Sequence, residues 1–243
     1  MLNELLDAAP YFLRGAGTSL LYTACGAVAA LVISFAFGLM SMSPSIWVRG
    51  TVRVIVEFFR GTSLVVQLLW IFYVLPQLGI RFDPLAAATI AFGLNFGAYG
   101  AEVVRGAVNS VPKAQWEATV ALGLGKAHRM RRIIIPQAIP EMVPPFGNLL
   151  IQMLKSSSLL FFLAVTELTY EVNQLRNDIG SLPAFITALF VYFVLAQLLI
   201  MVMRVWEKRA AAKVGRSPKP VDITMGEPMT VPAGGGAGAA GGV

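Results

Sequence analysis

Apolar residues fall in long blocks instead of the short alternating intervals of a soluble fold. Five blocks stand out, at about residues 20–40, 63–78, 85–104, 140–163 and 182–205. In hydrocarbon every backbone N–H and C=O must be bonded within its own segment, so blocks of this length are expected to be helices. The second block is short for a crossing of roughly 20 residues. It is expected to begin before Ser63, with Phe58 and Phe59 already in the interface. Pro140, Pro144 and Pro145 predict that the fourth span is bent or starts late. The pattern therefore predicts an all-α integral membrane protein. A five-helix bundle occupies residues 18–210, behind a short extracytoplasmic segment, residues 1–17. From Val214 onward Pro218, Pro220, Pro228 and Pro232 lead into a Gly/Ala run. Such a segment cannot bury enough apolar surface to offset its ordering entropy, so 214–243 is expected to be a disordered cytoplasmic tail.

Composition agrees, with 56% hydrophobic and 13% charged residues, against roughly a quarter charged in soluble domains. The net charge of +6 would suggest nucleic acid in a soluble protein. In a membrane protein the placement of Lys and Arg matters more. Fifteen of the 19 basic residues fall after spans one, three and five. That side is expected to be cytoplasmic, with the N-terminus outside and the C-terminus inside. Glu4 and Asp7 stand where a cleaved signal would be basic, so no cleaved leader is expected. The single cysteine, Cys25, sits in an apolar run and reads as a small buried residue.

The longest inner loop, 106–136, carries most of the remaining information. Pro112 can open a helix, and residues 113–122 lack Gly and Pro. Gly123 and Gly125 interrupt it, and 126–135 predict a second helix ending before Pro136. That second piece sets Lys126, His128, Arg129, Arg131 and Arg132 against Ala127, Met130, Ile133 and Ile134. Two readings stand side by side: a helix lying on anionic headgroups, or a docking helix for a soluble partner with Gly123 permitting a turn.

Within the spans, Asn95, Tyr99 and Glu102 are spaced to share one face of span three. They form a candidate solute pathway; alternatively Glu102 pairs with Arg105 one turn later. Asn148 and Gln152 share a face of span four, with Lys155 beyond them, and fit either solute contact or hydrogen bonding inside the bundle. Gly93 and Gly97 form a small-xxx-small pair that allows another helix to approach. A phosphate-binding loop needs Gly-x-x-x-x-Gly-Lys-Ser/Thr; the nearest string has Val120 and Ala127 at its ends, so no nucleotide site is expected. The lone His128 suggests no metal site, and no nucleophile–base pair or cofactor motif is visible.

The order Glu117-Ala118, four residues, Gly123, nine residues, Ile133, then Pro136 resembles the EAA signature of permease subunits of bacterial ABC importers. Thr119 replaces the usual second Ala, and Ile135 a usual Leu. Phe59-Arg60-Gly61-Thr62-Ser63, Ala98-Tyr99-Gly100-Ala101-Glu102, Pro144-Pro145-Phe146-Gly147-Asn148 and Lys155-Ser156-Ser157-Ser158-Leu159 are similar to segments of the polar-amino-acid branch of that family. The resemblance covers residues 15–210. It implies a MetI-like permease bundle with a cytoplasmic coupling helix in a bacterial inner membrane. It further implies an ATPase subunit dimer beneath, a second permease subunit (a sister chain or a second copy), and an extracytoplasmic solute-binding protein. Glu117, Ala118, Gly123, Ile133 and Pro136 belong to the ATPase-docking loop in such a subunit, and ATP hydrolysis lies on the partner. Implied solutes are polar amino acids or amino-acid-derived compatible solutes, among them ectoine and hydroxyectoine. An ATPase-independent channel or secondary carrier would lack such a loop and would carry more charge within its spans; the sequence shows the reverse.

Overall fold

The structure, a computed structural model, describes residues 2–213; the expected tail at 214–243 lies outside them. Its helices are α1 (Leu2–Met40), α2 (Ile46–Gly61), α3 (Leu64–Leu69), α4 (Pro84–Asn109), α5 (Lys113–Ala121), α6 (Lys126–Arg129), α7 (Ile135–Ser156), α8 (Leu168–Ile179) and α9 (Ser181–Lys213). A π turn at Trp70–Val74 and a 3-10 turn at Leu75–Leu78 prolong α3. A second π turn at Met130–Ile134 joins α6 to α7, and a 3-10 segment, Ser157–Leu163, follows α7.

The bundle is built around α1 and α4, packed along much of their length. The small-xxx-small pair makes this approach feasible. A Cβ added at Gly97 would come within 2.7 Å of Ile33 Cγ2, and one at Gly93 within 2.8 Å of Ala29 Cβ. Ser34 Oγ donates to its own helix at Ala30 O (2.6 Å) and across to Gly97 O (3.2 Å). Gly26 lies against Phe92 and Gly38 against Val104, so the two helices run in the same direction. The others alternate around them. α3 opposes α4, since Arg60 meets Tyr99 and Gln67 meets Asn95. α7 opposes α1, since Phe146 stacks on Phe35 at 6.4 Å while Met153 lies at Gly26. α9 opposes α7, with Met203 over Gly147 and Tyr192 beside Ser157 at the far end of α7. This alternation gathers Arg60, Arg105, Lys126–Arg132 and Arg204 at one end.

The helices differ from the expected spans in four respects. The first helix is not confined to 20–40: it runs unbroken from Leu2, through Pro10. The second block is a pair of helices, α2 and the α3 stretch, bent by 101°. The fourth begins inside the expected loop, because α6 continues into α7. Pro136 does not end it. The π turn shifts the ladder so that Ile135 N–H reaches Met130 O, and Pro136, which has no N–H, falls in the first turn of α7. Finally, among the described residues only Ala9–Met40, Lys126–Leu163 and Ser181–Ala210 are long and apolar enough alone to cross a membrane, with the bent pair qualifying jointly. α4 has the length, 26 residues or ~39 Å. It falls short in apolarity because it is enclosed by other helices and carries Asn95, Tyr99, Glu102 and Arg105.

The connection before α9 folds as a helix, α8, that the sequence pattern did not mark. Its apolar side (Leu168, Val172 and Leu175) packs on Phe12 of α1 and Ala184 of α9. Glu167 caps it and is fully buried. The carboxylate accepts from Thr169 N (2.8 Å), Tyr170 N (3.0 Å), Tyr192 Oη (3.1 Å) and Ser19 Oγ (3.4 Å), joining α1, α8 and α9. Burial pushes this carboxyl above its ordinary range, against the lowering effect of the Thr169, Tyr192 and Tyr170 hydrogen bonds.

Two outcomes follow for this joint. Glu167→Ala strips the acceptor from four donors and is expected to cost about 1–3 kcal/mol, seen as a lower melting midpoint of the purified protein. Because the folded-state value is raised, the stabilisation is present at acid pH and is lost as pH climbs through that value. The melting midpoint of the native chain relative to Glu167→Gln should therefore fall as pH is raised above the ordinary carboxyl range. A constant difference would show that the carboxyl does not titrate there.

Candidate functional site

The loop at the basic end has a defined build. α5 starts after Pro112 and stops at a tight closure. Gly123 N–H bonds Val120 O (2.9 Å) and Leu124 N–H bonds Thr119 O (3.1 Å). Gly123 adopts φ +66°, the left-handed conformation this closure requires. Two side chains, Trp116 and Gln115, hold α5 to the bundle. Trp116 packs into the apolar cluster of Val104, Val108, Ile134 and Ala138, which joins α4 to α7. Thr119 is buried, its Oγ1 bonded to Trp116 O at 2.7 Å. Gln137 Nε2 donates to Gln115 Oε1 at 3.3 Å, tying α5 to α7. Arg129 Nη2 donates to Leu124 O at 3.3 Å, bracing the turn.

What is left free is the opposite face. Glu117 and Ala118 are exposed, as are the apolar Val120 and Leu122 beside them. Leu122, at 73% exposure, is among the most exposed apolar side chains of this end. The five loop residues singled out in the sequence thus divide. Glu117, Ala118 and Gly123 lie on the free face of α5 or at its closing turn. Ile133 is half-buried against the cluster, and Pro136 is exposed at the base of α7. Sequence reasoning missed Trp116 and Thr119 as the inward face of α5 and Val120 and Leu122 as an exposed apolar patch. The i, i+3 spacing of Trp116 and Thr119 was the available signal.

The α4 stripe exists as a face, and it meets the break between α2 and α3. Asn95, buried, donates through Nδ2 to Phe59 O (3.0 Å) and Gln67 Oε1 (3.3 Å). Gln67 Nε2 donates to Thr62 Oγ1 (2.6 Å) and Phe59 O (3.0 Å). Tyr99 Oη donates to Arg60 O (3.1 Å), and the Arg60 guanidinium sits 5.3 Å from the Tyr99 ring centroid. Glu102 forms an i, i+3 ion pair with Arg105, accepting from its Nε at 3.1 Å. Of the alternatives open in the sequence, this is the pairing with Arg105.

Asn148 and Gln152 are exposed on α7, with exposed Lys155 continuing the face. No hydrogen bond joins them to the α4 stripe, and neither side chain has a partner among the described residues. Among the described residues, no three His, Cys, Asp or Glu side chains converge to hold a metal ion.

Comparison with known proteins gives a consistent result. Residues 26–212 match the model of the binding-protein-dependent transport system inner membrane component family. A probable amino-acid ABC transporter permease protein of Sinorhizobium fredii is 41% identical over 80% of this chain and 84% of its own length. The L-cystine transport system permease protein TcyB of Bacillus subtilis is 37% identical over 73% of this chain and 80% of its own. The glutamine transport system permease protein GlnP of Escherichia coli is 33% identical over 85% and 96%. Among solved structures, an amino acid ABC transporter crystallised with histidines superposes with a TM-score of 0.78 at 30% identity, covering 84% of this chain and 96% of that one.

The clasp at the α2–α3 break is open to a direct check. Asn95→Leu leaves Phe59 O with one donor fewer and Gln67 Oε1 with none from α4. The expected loss is about 1–3 kcal/mol, measured as a lower melting midpoint. Faster proteolysis next to Thr62 should accompany it, while Asn148→Leu, which breaks no bond, should leave both unchanged.

Proposed function

The chain belongs to the binding-protein-dependent transport system inner membrane components, and from that premise we propose that it is the translocating permease subunit of an ATP-driven importer of polar amino acids or amino-acid-derived solutes. The helices are read as five crossings: α1, the α3 stretch with α2 leading into it, α4, α7 with its 3-10 extension, and α9. The basic end is cytoplasmic, in keeping with the excess of Lys and Arg there. A solute-binding protein delivers at the α8 end. The chain itself hydrolyses no nucleotide, and an ATPase dimer does so from below.

The observation carrying this reading is the free face of α5. A short helix is seated on the α4–α7 cluster by Trp116 and bonded to α7 through Gln115 and Gln137, with Thr119 buried beneath it. It presents Glu117, Ala118, Val120 and Leu122 outward at the basic end. Such a patch suits a groove on a soluble partner, so a movement of the partner would be passed to α4 and α7 together. The pathway is assigned to the space beside the exposed Asn148–Gln152 face, completed by a second permease, either a sister chain or a second copy. Polar side chains on a crossing helix need protein or water against them, not lipid. Asn95, Tyr99 and Glu102 would border that pathway through the α2–α3 break they hold. Among solutes, glutamine and L-cystine are those named for relatives. Ectoine and hydroxyectoine are a narrower proposal, resting on sequence resemblance alone.

The test uses two substitutions on α5. No atom lies within 4 Å of a Cβ at Gly123, so Gly123→Val strains only the backbone at φ +66°. That strain is about 1–2 kcal/mol and should weaken ATPase co-purification by about 5- to 30-fold, with ATP-dependent uptake into liposomes falling in step. Gly123→Asn tolerates the left-handed conformation and should retain most of both. Glu117→Lys should lower both without shifting the melting midpoint. Unchanged co-purification and uptake in Gly123→Val and Glu117→Lys would defeat the docking assignment.

A further inference from the structure

α2 is the helix that the transport reading leaves without a task. Its sixteen residues reach ~24 Å, short of a ~30 Å hydrocarbon core, and the 101° bend sets it nearly perpendicular to the α3 stretch. Val52 and Val56 are buried on Ala98 and Ala101, with Phe37 and Phe59 beside them. That footprint covers one turn of α4, so α2 crosses α4 instead of running along it. Just below, the Glu102–Arg105 pair marks the level at which α4 becomes polar.

The remainder of α2 divides into two rows. Trp47 (84% exposed), Val54 and Phe58 form an exposed apolar row at i, i+7, i+11. Arg49, Arg53 and Arg60 form a separate basic row at i, i+4, i+11, roughly 140° round the helix and interrupted by Glu57. Their contacts are slight: Arg53 with Glu57 at 2.9 Å on the surface, Arg49 with Ser43 O at 3.5 Å, and Arg60 over the Tyr99 ring. The row carries three positive charges against one negative. A helix with separate apolar and basic rows, lying across the direction of the spans at their basic end, has the build of an interfacial helix on an anionic surface.

We propose that α2 lies in the cytoplasmic headgroup layer and is a binding site for anionic phospholipid, with Arg49, Arg53 and Arg60 on lipid phosphates and Trp47, Val54 and Phe58 among the upper acyl chains. This rests on the membrane orientation given above. The lipid contact is linked to the centre of the bundle. The C-terminal end of α2 is held to α4 through Phe59 O and Arg60 O, so the depth at which lipid seats α2 bears on Asn95 and Tyr99.

The test uses the assembled permease–ATPase complex in vesicles of phosphatidylcholine mixed with phosphatidylglycerol, one or the other carrying brominated acyl chains. The Trp47 signal is the difference between the native complex and Trp47→Phe. Trp47 should be quenched, and more strongly by brominated phosphatidylglycerol than by brominated phosphatidylcholine. Arg49→Gln with Arg53→Gln should reduce that preference by about fivefold per arginine. Absence of quenching by either lipid would mean that the ATPase or the second permease covers the face, overturning the proposal. Equal quenching by both lipids, unaffected by the arginines, would leave a generic interfacial helix and overturn it too. ATP-driven uptake recorded in the same vesicles separates these outcomes from failure of the transport reading.

Discussion

A backbone carbonyl that leaves a helix inside a bilayer finds no water to replace its lost partner. The α2–α3 break releases carbonyls around Phe59–Ser63 that turn toward the buried Asn95 and Gln67, where water is likewise shut out. Asn95, Gln67 and Tyr99 supply the missing donors. Two of these stand on α4, and they are part of the reason that α4 is too polar to face lipid. A polar α4 must be enclosed, and α1 encloses it only because Gly93 and Gly97 let the backbones approach. The bent helix, the polar central helix and the glycine seam are therefore one solution to one constraint. The π turn at Met130–Ile134 answers the same constraint at Pro136, by bonding Ile135 N–H five residues back instead of four.

The end opposite the basic one meets a harsher form of the problem, since a carboxyl is buried there with no cation paired to it among the described residues. Glu167 is surrounded by donors only: two backbone N–H groups at the start of α8, a serine of α1 and a tyrosine of α9. Hydrogen bonds offset part of the desolvation cost, and the raised carboxyl shows that they do not offset all of it. α8 depends on this joint for its N-terminal cap and for its attachment to two crossing helices.

Much of this was legible in the sequence, for reasons that can be traced to particular residues. Long apolar blocks specify helices in lipid regardless of context, so the regions of α1, α7 and α9 could be read directly. The Gly93–Gly97 seam and the shared face of Asn95, Tyr99 and Glu102 follow from helical spacing. So does the α5 helix closed at Gly123. What could not be read was set by tertiary partners. Gly61-Thr62-Ser63 gives no local sign of a 101° turn, because the donors on α4 that stabilise the turn lie 36 and 39 residues from the carbonyls they bond. Pro136 signals a stop under ordinary helix rules, and the π turn that carries the chain past it has no simple sequence mark. α8 is only twelve residues long, and its apolar side is defined by contact with Phe12 and Ala184, far away in the chain.

The contrast between the two ends of α4 bears on how such a subunit could work. At the basic end, α5 is seated on a cluster that includes both α4 and α7, so displacing α5 moves two crossing helices at once. Higher up, α4 is held to the α2–α3 break by hydrogen bonds, which have preferred distances and directions and do not slide. The α1–α4 seam between them is tight packing with little room to deform. A rigid unit of α1, α4 and the broken helix, pushed at one end through α5, will tend to rotate as a body instead of bending. The exposed Asn148–Gln152 face of α7 shares the α5 seat but not the α4 clasp. Because Phe146 and Met153 of α7 pack on Gly100 and Gly26 of the rigid unit, a push from the basic side reaches that face together with the unit.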